Sequence, residues 1–187
     1  MLEQASVIFF VMLLLLRVDN ASEDSIEQAQ CHLVELAEAI AVEAKNKDEV
    51  LDLIAVGFWE SRFSYRGKSR GVDGECGIYQ QIPKYAHPQH IPKPSCEDLD
   101  NPWKSTYRAA EAFRFMKSEF PPRDRFCHYN SGMECYPKSR VYQRKINYYR
   151  KKIDLLIGWM EIVYGEIMSG YFRQTIRVCT LEEEYIQ

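Results

Sequence analysis

Apolar residues recur every three to four positions along most of this chain, and that period commits it to packed helices. Ile26, Ala29, Leu33, Ala37, Ile40 and Ala44 form one stripe, opened by Ser25 and Gln28 in a capping-box arrangement. A second stripe begins near Asp48, turns Leu51, Ile54, Ala55 and Phe58 inward, and ends around residues 60–61. Asn101-Pro102 sets an N-cap before a proline at the first helical position. The helix after it directs Tyr107, Ala110, Phe113 and Met116 to the core and stops before Pro121-Pro122. A short helix covers about residues 124–129, and a long periodic stretch runs from Ser139 to Phe172, with Gly158 as a break point. Residues 64–94 hold Gly67, Gly71, Gly74, Gly77 and several prolines, so they read as loop with room for a small hairpin. The expected fold class is mainly α.

The 187 residues suit one compact domain with trimmings. A formal net charge of −3 gives no reason to expect nucleic acid as a partner. The charge is unevenly spread. Residues 23–49 are mainly acidic, Arg62, Arg66, Lys68 and Arg70 cluster after Glu60, and residues 138–152 are strongly basic. A basic rim beside a cleft would attract an anionic polymer such as bacterial cell wall; each cluster equally fits a solvated helix face.

Residues 5–16 are almost unbroken apolar. The run is shorter than the ~20 residues a spanning helix needs and has the length of a signal h-region. Its flanks depart from the usual signal, with Glu3 before it and Arg17 after it. Residues 1–22 are therefore expected to be a signal peptide or an uncleaved N-terminal anchor. Residues 23–153 would form the main domain, and residues 154–187 an apolar helical extension and tail. Six cysteines behind such a segment favour disulfides in an oxidising compartment. The expected pairing joins Cys127 to Cys135 locally, with Cys76–Cys96 and Cys31–Cys179 tying loops and ends. Zinc is not expected, because there is no CxxC, and Cys31-His32 and Cys127-His128 set ligands side by side. The location expected is exported, whether periplasmic, extracellular, membrane-anchored or phage-associated.

Within residues 154–172 the apolar stripe is wide, and Glu161 and Glu166 weigh against a membrane span. Docking on the core, a protein partner, or rest on a membrane surface are the readings left open.

The chemistry converges on Glu60. Cleaving a glycosidic bond needs an acid that keeps its proton near neutral pH. Partial burial raises a carboxyl pKa, and a helix C-terminus disfavours its anion. Glu60 ends an apolar helix among Phe58, Trp59 and Phe63. Its arginine neighbours, Arg62, Arg66 and Arg70, would act the other way if they approached it. A solvated helix-terminal glutamate is the plain alternative.

Five segments in order then carry a resemblance: Glu60-Ser61 at the helix end, Gly77-Ile78-Tyr79-Gln80-Gln81-Ile82-Pro83, Leu99-Asp100-Asn101-Pro102, His128-Tyr129-Asn130-Ser131-Gly132, and Tyr142. They resemble the soluble lytic transglycosylase family, whose fold is shared with goose-type lysozymes, over residues 31–153. The resemblance implies a mainly α, lysozyme-like domain that cuts peptidoglycan glycan strands without cofactor or metal. Glu60 would protonate the oxygen between N-acetylmuramic acid and N-acetylglucosamine. It would then take the proton of the muramic C6 hydroxyl, giving a 1,6-anhydro product. The family's loop serine that bonds the acid falls at Ser69, and Gln80, Tyr129 and Asn130 would line the glycan groove. Tyr142 would stabilise charge near the bond or orient Glu60; packing in the core is its plain alternative.

The sequence also departs from the family. Tyr79 stands where a sugar-packing Met is usual, and the loop holding Asp73, Glu75 and Cys76 is longer. Asp73 or Glu75 as a second carboxylate would position a water, making the protein a hydrolytic muramidase; solvated loop charges are the plain alternative for both. A non-catalytic glycan-binding or assembly module is the alternative from another class. Trp59 and Trp103 are expected in the core, and His87, His90 and His128 receive no role.

Overall fold

The computed structural model describes residues 2–64, 70–85, 93–131, 135–163 and 165–186. Among them the chain is mainly α and contains no strand. The order is α1 (Leu2–Val18), α2 (Glu23–Gln28), α3 (Gln30–Glu43), α4 (Lys47–Ser61), α5 (Cys96–Asp100), α6 (Pro102–Glu119), α7 (Arg125–Ser131), α8 (Pro137–Val163) and α9 (Gly165–Ile186). Side-chain oxygens set several helix starts. Asn46 accepts from the Glu49 amide at α4, and Asn101 accepts from the Lys104 amide at α6, where Pro102 opens the first turn. The first cap falls at Ser22, which accepts from Ser25, one turn before the expected position. The stripe that followed is split at Ala29, which ends α2 and starts α3.

Helices α3, α4, α6 and α8 pack around a core in which Leu33, Leu36, Ile40, Leu53 and Ile54 are wholly buried. The α6 face matches the expected one at Ala110 and Phe113, with Met116 half-buried, and departs from it at Tyr107. Thr106, Ala109, Ala110 and Phe113 are buried, whereas Tyr107 and Trp103 are exposed. Helix α6 packs against α3, and its covered side carries the smaller Thr106, Ala109 and Ala110 while the larger Tyr107 and Trp103 lie outward. Helix α8 runs unbroken through Gly158, where a side chain would meet open space and the glycine costs only helix propensity.

The apolar N-terminal segment lies inside the packed molecule. Ile8, Phe9, Val11, Met12 and Leu16 are buried, and α1 contacts α3 and α9. The Phe9 ring lies 5.3 Å from that of Phe172 on α9, which returns along α1. Among the described residues no helix is long and apolar enough to cross a membrane.

Three disulfides join the pairs expected from sequence. Cys31–Cys179 ties α3 to α9, Cys76–Cys96 ties the central loop to α5, and Cys127–Cys135 closes the end of α7. Such bonds are compatible with an exported protein. An ion cluster around one buried carboxylate adds a further crosslink. Asp52, 1% exposed, faces Lys117 of α6 and Arg150 of α8, each at 2.7 Å. Asp48, one turn earlier, contacts the same two cations.

Candidate functional site

Glu60 sits in the last turn of α4, partly buried, because the chain after it is held tightly. Arg62, Phe63 and Ser64 all adopt positive φ, between 53° and 61°, which L-residues disfavour. Burial of Phe63 against Phe58 and a bond between His32 Nε2 and the Phe63 carbonyl oppose that strain. Ser61 Oγ donates to the Ile78 carbonyl at 2.6 Å and accepts from the Ser64 amide at 3.1 Å. One hydroxyl thus pins the end of α4 to the glycine-bracketed loop. Isolated antiparallel bridges, Arg70 with Cys76 and Cys76 with Gln81, give that loop its form in place of a full hairpin.

The loop can come this close for two reasons. A side chain at Gly57 would crowd Phe63 and Tyr79 at 3.3 Å. Gly77, at φ +76°, lies where a Cβ would sit 1.9 Å from the Leu99 carbonyl oxygen. Tyr79 itself points into the core, fully buried, with its phenol 3.4 Å from Thr106 Oγ1. It does not present a surface to a sugar.

Tyr142, buried on α8, donates a short hydrogen bond to Glu60 Oε1. Burial is the main influence on the Glu60 carboxyl, followed by the Tyr142 bond, which lowers its pKa, and the Glu75 charge, which raises it. The outcome is a pKa pushed up to about 7. Tyr142 and Tyr129 are held well above the usual phenol range by burial first and the Glu60 charge second. Tyr129 donates to the Tyr79 carbonyl at 2.7 Å, fixing α7 to the same loop.

Two of the arginines expected to oppose a raised pKa, Arg62 and Arg70, are engaged elsewhere. Arg62 pairs with Asp19 at 2.6 Å and donates to the Phe58 and Trp59 carbonyls, capping the helix. Arg70 makes a two-pronged pair with Asp100, at 2.6 Å for each bond.

The structure therefore joins Glu60 directly to Tyr142 and sets Tyr129 in the same electrostatic neighbourhood. Gln80, at φ +46°, donates its amide to the Gly77 carbonyl at 2.9 Å, bracing the turn. Asn130 is exposed at the end of α7. Ser69, like Arg66, Lys68, Gly132, His87 and His90, lies outside the described residues. Trp59 packs partly buried against Tyr149, while Trp103 is exposed rather than in the core.

Ser61 was absent from the expected site residues although it follows Glu60. A hydroxyl one residue past a candidate acid was the available signal. Glu75 is more instructive. Its carboxylate accepts from the Asp73 amide at 2.9 Å and is the acidic group whose charge raises Glu60. Among the described residues no group of acidic, histidine or cysteine side chains is arranged to hold a metal ion. A small cavity lies elsewhere, between α4, α6 and α7, lined by Asp52, Phe113, Met116, Lys117, Arg125 and Phe126.

The arrangement can hold a proton near neutral pH on a carboxyl braced by a phenol, at the junction of α4, α7, α8 and the glycine-bracketed loop. Comparison of the chain with family models, curated proteins and solved structures found no match.

Proposed function

We propose that this protein is a peptidoglycan lytic transglycosylase with a lysozyme-like arrangement of helices around Glu60. The observation that carries the reading is the Glu60 carboxyl itself, pushed up to about 7 by burial and bonded by Tyr142. A glycosidic oxygen is a poor leaving group until it is protonated, and a carboxyl with this pKa is both available and acidic enough to protonate it. Glu60 donates its proton as the bond between N-acetylmuramic acid and N-acetylglucosamine breaks. The resulting carboxylate accepts the proton of the muramic C6 hydroxyl, whose oxygen closes on C1 to give the anhydro-sugar. Tyr142, donating throughout, stabilises the carboxylate between these steps.

Glu75 favours a second reading. A second carboxylate acting on Glu60 could orient a water against C1, which would make the reaction hydrolysis. The test is the mass of the sugar ends released from purified peptidoglycan, with Glu60→Gln as control. Ends lacking the mass of one water support the transglycosylase, and ends carrying it identify a hydrolase. Full activity in Glu60→Gln removes Glu60 as the acid. Glycan binding without cleavage by the native protein identifies a binding module instead.

A further inference from the structure

One face of α8 is exposed along its length and has an ordered composition. At 100° per residue, Tyr148, Leu155, Trp159 and Ile162 fall within a narrow arc. They are 54%, 75%, 50% and 86% exposed. Arg144, Lys145, Lys151 and Lys152 occupy the same side and are also exposed. The Lys152 ammonium lies 5.5 Å from the Tyr148 ring centre, so the basic and aromatic groups mix rather than segregate. The nearest acids on the helix, Asp154 and Glu161, lie about a quarter-turn or more to the side. Asp154 is paired with Lys47 of α4 at 2.7 Å. The core-facing side of α8, with Tyr142, Ile146, Ile153 and Ile157, is separate and buried.

We propose that this face of α8 docks on an anionic lipid surface. Leu155, Trp159 and Ile162 would enter the boundary between headgroups and acyl chains, with Lys151 and Lys152 at the level of the lipid phosphates. An interfacial helix of this kind needs exposed apolar bulk together with a positive charge that complements the surface. A second copy of the chain fits poorly, because the face carries charge of one sign and would repel itself. An anionic polymer would explain the lysines and leave Leu155 and Ile162 without a role.

The proposal stands apart from the reading of Glu60 and is tested without any glycan. The full chain is floated with vesicles of phosphatidylglycerol and phosphatidylcholine, and with vesicles of phosphatidylcholine alone. Binding to the anionic vesicles is expected, with little to the neutral ones. Reversing charge at both lysines (Lys151→Glu with Lys152→Glu) is expected to weaken binding more than tenfold, since each cation near such a surface adds about fivefold. Leu155→Glu with Ile162→Glu is expected to abolish it. These sites are exposed, and an unchanged thermal midpoint verifies that each variant folds. Absence of binding to anionic vesicles overturns the proposal, as does unchanged binding by the Leu155 and Ile162 variant. Doubling of mass in sedimentation, lost in that same variant and without vesicle binding, would assign the face to a second copy instead.

Discussion

The Tyr142 hydroxyl donates to Glu60 Oε1 across 82 residues of sequence, joining the middle of the molecule to its long penultimate helix. The bond favours the carboxylate and offsets part of the burial that favours the acid. Tyr142→Phe is therefore expected to raise the Glu60 pKa further. The alkaline limb of the pH–rate profile should move to higher pH while kcat falls about 10- to 100-fold, because the carboxylate loses its donor. A limb that moves to lower pH would contradict this account of the pair.

Glu60 sets the pH dependence of activity. Its proton must be present at the first step, so activity on peptidoglycan should be retained below pH 7 and decline as pH rises through about 7. Rates measured from pH 5 to 9 check this, with Glu60→Gln inactive across the range.

The same group links pH to stability. Its folded pKa is raised, so between the ordinary value of 4.5 and about 7 the folded protein keeps a proton that the unfolded chain releases. Stability from this group is present below the lower value and is lost as pH climbs through that window. Glu60→Gln should remove this slope and gain at most about 3 kcal/mol over the native protein at pH 8. Urea unfolding at pH 4.5 and pH 8 measures it; equal slopes in the two proteins would refute the assignment.

Gly77 and Gly74 provide a paired test of the loop. Both have positive φ, yet a side chain at 77 collides with the Leu99 carbonyl and one at 74 meets nothing. Gly77→Ala should cost more than about 2 kcal/mol, and Gly74→Ala about 1 kcal/mol from backbone strain alone. Chemical denaturation distinguishes them, and similar losses would mean that the close approach at 77 is relieved by movement.

The Asp52 cluster is expected to matter for folding. Replacing Lys117 or Arg150 by Met leaves the buried Asp52 with one cation instead of two and should cost about 1–3 kcal/mol. Removing the exposed pair Arg17–Glu23 should change stability by less than about 1 kcal/mol. Near-neutral results at Lys117 and Arg150 would show that Asp52 is satisfied in another way.

Local sequence determined much of this protein. Periodicity and caps give α4 and α6 close to their observed bounds, and Asn101-Pro102 starts α6 where expected. These signals are legible because helix propensity, capping and apolar period depend on residues a few positions apart. The three disulfides follow the expected pairing, and Tyr142, expected either to act near the bond, to orient Glu60 or to pack in the core, is buried and bonded to Glu60. Tertiary structure decided which faces were covered. Tyr107 and Trp103 lie outward, while Thr106, Ala109, Ala110 and Phe113 take the covered side of α6. Tyr79 went into the core, Ser61 tied α4 to the loop, and Arg62 and Arg70 found Asp19 and Asp100 instead of Glu60. Whether a carboxyl keeps its proton depends on which distant groups exclude water from it and which hydrogen-bond it, and packing alone brings those groups together.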